Sequence, residues 1–174
     1  MKRINSILSL ILISTLVACG GSEKKSAKEQ SEKEPQPKEE VTPEEPVEKE
    51  VVEITLNAVG EAMNEIAYDP KSLTVPANSR VKLTFNNKSS AEGMLHNFVL
   101  VELGSGQEIA TAGIKAGQDN DFVPKDSRIF ANTTMTQMGE TVTIEFDAPA
   151  KGSYHYICTY PGHYPNMIGR LNVE

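Results

Sequence analysis

Apolar and polar residues alternate without interruption in three stretches of the chain. Val52, Ile54, Leu56 and Ala58 are separated by Glu53, Thr55 and Asn57. Val81, Leu83 and Phe85 are separated by Lys82 and Thr84, behind the turn-forming Pro76-Ala77-Asn78-Ser79. Val142, Ile144 and Phe146 are separated by Thr143 and Glu145, in a run that stops before Pro149. A period of two places every apolar side chain on one face of an extended strand, so each stretch predicts a strand with that face in a core. Shorter strands are predicted at 72–75, 96–102, 153–158 and 168–173. Short strands punctuated by Gly, Pro and Asn predict an all-β fold, a Greek-key barrel or sandwich. Between Gly104 and Gly139 the alternation fails over a length unusual for a loop, which predicts a short helix or an irregular flap.

Ahead of the first strand the composition changes twice. Lys2 and Arg3 precede an apolar run from Ile7 to Ala18, shorter than the ~20 residues that a membrane-spanning helix needs. Residues 1–18 therefore read as a signal peptide. Residues 20–50 hold ten Glu and six Lys, with Ala27, Val41 and Val47 as their aliphatic residues. Such a segment cannot bury a core, and its prolines at 35, 37, 43 and 46 oppose helix, so 19–50 reads as a solvated tether. Folding is expected from residue 51 to residue 174.

Charge narrows the function further. The chain carries a formal −7, of which residues 51–174 carry −5. An acidic domain lacks the cationic surface on which nucleic-acid affinity rests, so no nucleic-acid partner is expected. Cys19 and Cys158, the two cysteines, are too few for a disulfide framework.

Chemistry is concentrated near the carboxyl end, in Cys158-Thr-Tyr-Pro-Gly-His163-Tyr-Pro-Asn-Met167. The motif lies between two predicted strands, and Pro161, Gly162 and Pro165 let a short loop fold its side chains toward one point. Thiolate, imidazole and thioether together form a soft set that favours copper over hard cations. A trigonal His₂Cys site needs a second histidine, and His96 is the candidate. Met94, Met135 and Met138 form no tight cluster and are read as core or flap residues, and His155, out of phase with Tyr154 and Tyr156, is expected to face away. A thiol hydrolase would need an accessible Cys158 with an oriented base, and no oxyanion-hole signature lies near it. Copper storage or delivery by the same ligands remains the alternative to electron transfer.

The motif, with Leu95-His96-Asn97-Phe98-Val99-Leu100 upstream, resembles the cupredoxins, in particular the azurin and auracyanin branch. The resemblance implies a Greek-key β-barrel and one-electron transfer through a type 1 copper, without enzymatic turnover. It implies His96, Cys158 and His163 as equatorial ligands, Met167 as the axial ligand, and Asn97 and Thr159 as residues that brace the ligand loops. Leu95 replaces the glycine that azurins place before the first histidine. Leu16-Val17-Ala18-Cys19-Gly20 resembles the lipobox of bacterial lipoproteins, which implies lipid on Cys19 and a domain held outside the cytoplasmic membrane or in the periplasm. An imidazole edge of His163 is expected at the surface, ringed by Pro161, Tyr164 and Pro165. Transient redox partners such as c-type cytochromes or membrane oxidoreductases are expected to dock there.

Overall fold

The structure is a computed structural model, and it describes residues 49–174. The expected signal peptide and the lipid site at Cys19 lie outside the described residues. The three alternating stretches form strands β1 (Val51–Val59), β4 (Arg80–Asn87) and β7 (Thr141–Asp147). They lie side by side in a four-stranded sheet completed by β2 (Ala67–Asp69), in the order β2-β1-β4-β7. β1 pairs parallel to β4, and β4 antiparallel to β7, so Leu56, Phe85 and Val142 share one register row. The second sheet orders β3 (Ser72–Val75), β9 (Ile168–Val173), β8 (Gly152–Ile157), β5 (Val99–Glu102) and β6 (Ile129–Asn132). The two sheets form a sandwich in place of a closed barrel.

Period-two patterning places the core between the sheets. Val81, Leu83, Phe85, Leu56 and Ala58 from the first sheet are fully buried, as are Leu100 and Tyr156 from the second. β5 as far as Val101, and β8 at its end in Tyr156 and Ile157, are buried on both faces, because helix α1 (Gly106–Ala116) covers the outer one. There Val99, Val101 and Ile157 pack with Ile109 and Ala110, which explains the unbroken apolar run Val99-Leu100-Val101. The helix occupies the stretch where alternation fails, as expected. Gly113 is required in it, since a Cβ at that position would overlap the Phe122 carbonyl oxygen.

One prediction from the pattern needs correction, and two strands that it does not predict are present. The strand expected at 96–102 begins only at Val99; His96 makes an isolated bridge to Thr136, and the Phe98 amide donates to the Thr133 hydroxyl. The chain leaves the ladder there because its polar groups are satisfied by the 133–136 segment. β2 is only three residues long and ends before Pro70, too short to carry a period. β6, inside the presumed flap, is an edge strand whose pairing with β5 is broken by a register shift, and its residues alternate half-buried and exposed without a polar-apolar signature.

Candidate metal centre

His96, Cys158 and His163 come from three places that the fold brings together. His96 sits just before β5, Cys158 just after β8, and His163 in the turn that leads to β9. β5 and β8 are paired neighbours, with Val99 opposite Ile157, so the residues beyond their ends are adjacent. One donor atom from each of the three lies within 4.8 Å of the others. The Cys158 Sγ is 4.0 Å from the His96 Nδ1 and 3.5 Å from the His163 Nδ1. The two imidazole centroids are 4.8 Å apart.

Water is excluded from this cluster. His96 and Cys158 are fully buried, and His163 retains 1% of its surface. Burial, reinforced for His96 by the nearby His163, pushes both imidazoles down to about 4, so both are neutral with free lone pairs at pH 7. Burial pushes the Cys158 thiol up to about 12, while the backbone amides of Asn97 and Tyr160 act in the opposite sense. A thiolate here therefore needs a bound cation. With the roughly 2.0 Å and 2.3 Å bonds that a divalent ion makes to imidazole and thiolate, a trigonal site would separate S and N by about 3.7 Å. The observed 3.5 Å and 4.0 Å bracket that value. The residues fit a metal, and their softness fits copper. The His96 Nε2, on the far side of the ring, is buried with no hydrogen-bond partner.

Met167 is fully buried, and its backbone closes the loop on both sides. Its amide donates to the His163 carbonyl at 2.9 Å, and its carbonyl accepts from the Cys158 amide at 3.2 Å. Asn97, also fully buried, ties the first histidine segment to the cysteine loop. Its Nδ2 donates to the Thr159 hydroxyl at 2.8 Å, and its Oδ1 accepts from the Thr159 amide at 2.9 Å. The Tyr68 hydroxyl donates to the Asn97 carbonyl at 2.6 Å.

A sequence model of the copper-binding plastocyanin/azurin proteins matches residues 54–174. The chain belongs to that family. Against auracyanin A of Chloroflexus aurantiacus it is 42% identical over 119 residues, covering 67% of this chain and 72% of the relative. Against auracyanin B of the same organism it is 40% identical over 121 residues, 66% of this chain, and it spans half of that relative's length. The solved structure of auracyanin A, described as a "blue" copper protein, superposes with a TM-score of 0.65 at 41% identity, over 71% of this chain and 99% of that one. The chain is thus a blue copper cupredoxin with a His-Cys-His cluster able to hold one copper ion, in a family of electron carriers and not of enzymes.

Other predicted positions are distributed around this cupredoxin centre. The expected surface edge of His163 is almost closed, because the Tyr160 ring packs against the imidazole with centroids 4.7 Å apart. Pro161 and Pro165 are exposed, but Tyr164 is half-buried and leans on Gly106 at the start of α1. His155 pairs in register with Val101 and Arg170 and is not in the cluster. Met94 is half-buried against the core, and Met138 is exposed. Three further residues were not singled out from the sequence. Asn87, buried at the end of β4, donates to the carbonyls of Met94 at 2.7 Å and Thr136 at 3.0 Å, which pins two loops beside His96. Met63 lies with its methyl group against Gly162, and its carbonyl accepts from Asn166 at 3.1 Å. Asp121 joins the Asn97 network from the end of a 3-10 turn, Gln118–Asn120. An asparagine closing an alternating strand was the one available signal, at Asn87.

Among the described residues, no helix is long and apolar enough to cross a membrane.

Proposed function

We propose that His96, Cys158 and His163 hold a single type 1 copper ion, with Met167 as a weak axial ligand. The protein would serve as a one-electron carrier tethered to a bacterial cell envelope through a lipidated Cys19. The carrying observation is the convergence of two neutral imidazoles and one thiol within 4.8 Å in a site closed to water. Bound there, copper supplies a one-electron couple. The chain's part is to hold the donors still: Asn97 braces Thr159, Thr136 bridges His96 in both directions, and Met167 closes the loop on Cys158. Donors fixed in a buried scaffold change little between oxidation states, and backbone amides aimed at the sulfur tune the potential.

The domain's polarity suits a tethered carrier. Residues 19–50 would join β1 at Val51, and the far end of that nine-residue strand leads toward the loop that carries Met63 beside Gly162. Nine residues at about 3.3 Å place the entry point roughly 30 Å from the ligand-loop end, which leaves that end free for encounters. Pro161, Pro165 and the edge of Tyr164 form part of the expected docking rim. An acidic domain favours partners with cationic patches, such as c-type cytochromes, in small interfaces whose rates fall as salt rises.

Stopped-flow exchange with a c-type cytochrome and metal transfer to a Cu(I) chelator, measured on the same sample, test the reading. Fast reversible exchange with copper retained supports a carrier. Ready release of Cu(I) with slow exchange would instead identify a delivery protein.

A further inference from the structure

The loop between α1 and β6 contains two consecutive non-glycine residues in the left-handed region, Asp121 at φ 52° and Phe122 at φ 54°. Left-handed backbone disfavours side chains, and two such residues in succession persist only where the surroundings hold them. Asp121 is held by two bonds that run to the two segments flanking His96. Its carbonyl accepts from Asn97 Nδ2 at 2.9 Å, and its carboxylate Oδ1 accepts from the Met135 amide at 2.7 Å. Asn97 follows His96 directly and is bonded to Thr159, which follows Cys158. Met135 precedes Thr136, whose amide donates to the His96 carbonyl at 2.8 Å and whose carbonyl accepts from the His96 amide at 3.2 Å. A single residue outside the ligand set therefore clamps both neighbours of one histidine.

We propose that Asp121 is a positioning residue for the copper centre. Through its carbonyl and its carboxylate it fixes where the His96 imidazole stands relative to the Cys158 sulfur, and so limits how far the donors move when the electron arrives or leaves. The 133–136 segment is also held by the Thr136 bridge to His96 and by the Thr133 bonds to Phe98, so loss of the Asp121 acceptor loosens it at Met135 without releasing it. Left-handed geometry explains the residue type, since aspartate tolerates that region and supplies an acceptor oxygen at the same time. The proposal rests on the copper reading above.

Two substitutions separate geometry from bonding. Asp121→Asn keeps an acceptor oxygen and tolerates the left-handed region, whereas Asp121→Gly keeps the backbone and removes the acceptor. In the metal-free protein, exchange of the Met135 amide with solvent should remain slow in Asp121→Asn and rise at least about tenfold in Asp121→Gly. In the Cu(II) protein, Asp121→Gly should shift the visible band ratio, broaden the hyperfine pattern and slow electron self-exchange, while Asp121→Asn stays close to the parent. If Asp121→Gly does not fold, Asp121→Ser against Asp121→Asn provides the same comparison with a shortened acceptor. Unchanged spectra and self-exchange in Asp121→Gly would overturn the proposal even if melting falls. Equal effects in Asp121→Asn and Asp121→Gly would overturn it too, by assigning the effect to charge alone. A parent protein that stays colourless with Cu(II) would defeat the copper reading instead, and the Met135 exchange contrast would still decide the clamp.

Discussion

Replacing Asn97 with alanine removes three hydrogen bonds from a fully buried position without changing a metal donor. Thr159, itself 1% exposed, loses the partner of its amide and the donor to its hydroxyl. An orphaned buried amide costs about 1–3 kcal/mol, and each remaining bond contributes about 0.5–1.5 kcal/mol. The expected loss is therefore about 3 kcal/mol, since some of these groups will find water or relax. For a domain of this size roughly 4 °C accompanies each kcal/mol, so Tm should fall by on the order of 12 °C. Thermal unfolding of the metal-free protein, followed by circular dichroism, keeps metal binding out of the comparison. Asn86→Ala is the internal control: that side chain donates to Asn57 at 3.0 Å and accepts from the Thr141 hydroxyl at 2.7 Å at a half-buried position where water can replace both, so the loss should stay near 1 kcal/mol or about 4 °C. If Asn97→Ala melts no lower than Asn86→Ala, the bonds around Thr159 do not brace the site and the reasoning fails.

Three further outcomes follow from the same geometry. Gly169→Ala would drive a Cβ into the Tyr156 ring, which is fully buried and anchored by its hydroxyl to the Pro70 carbonyl at 2.7 Å; unfolding in urea should show a loss of about 3 kcal/mol or more, and a near-normal midpoint would refute this packing. Arg128 holds the Asp126 carboxyl down at about 2 through side-chain and backbone hydrogen bonds. A depressed carboxylate stabilises the fold above its unfolded pKa of 3.8 and loses that contribution as pH falls through about 2, so Asp126→Asn should flatten the stability profile between those values; an identical acid limb in both proteins would count against the pair. Met63 is 46% exposed beside Gly162, so Met63→Glu, which adds a like charge to an acidic domain, should slow electron self-exchange several-fold at low salt, recovering as salt rises, with the copper spectrum unchanged. Rates that are insensitive to this charge would remove the loop from the encounter surface.

Much of this molecule was legible in its alternation, because β1, β4 and β7 each present one face to a core and one to water. The motif from Cys158 to Met167 was legible because its donors are close in sequence and share one turn. What the chain hides is contact between distant loops. His96 was readable as a donor but not as a residue outside the ladder, since the apolar run after it continues the strand pattern backward through a segment that bonds to Thr133 and Thr136 instead. Asp121 looks like an ordinary loop residue and Asn87 like the polar end of a strand in the sequence, and only folding shows that both are bonded to the segments around His96. The closure of His163 by Tyr160 was equally hidden, because adjacent ring packing leaves no periodic trace.

The central claim is that Cys158 supplies a thiolate to a copper ion, and the visible absorption of the protein with one equivalent of Cu(II) tests it most directly. An intense thiolate-to-copper band, bleached by a mild reductant, restored by an oxidant and absent in Cys158→Ser, is the predicted result. A colourless Cu(II) complex, or colour that survives in Cys158→Ser, would contradict the account.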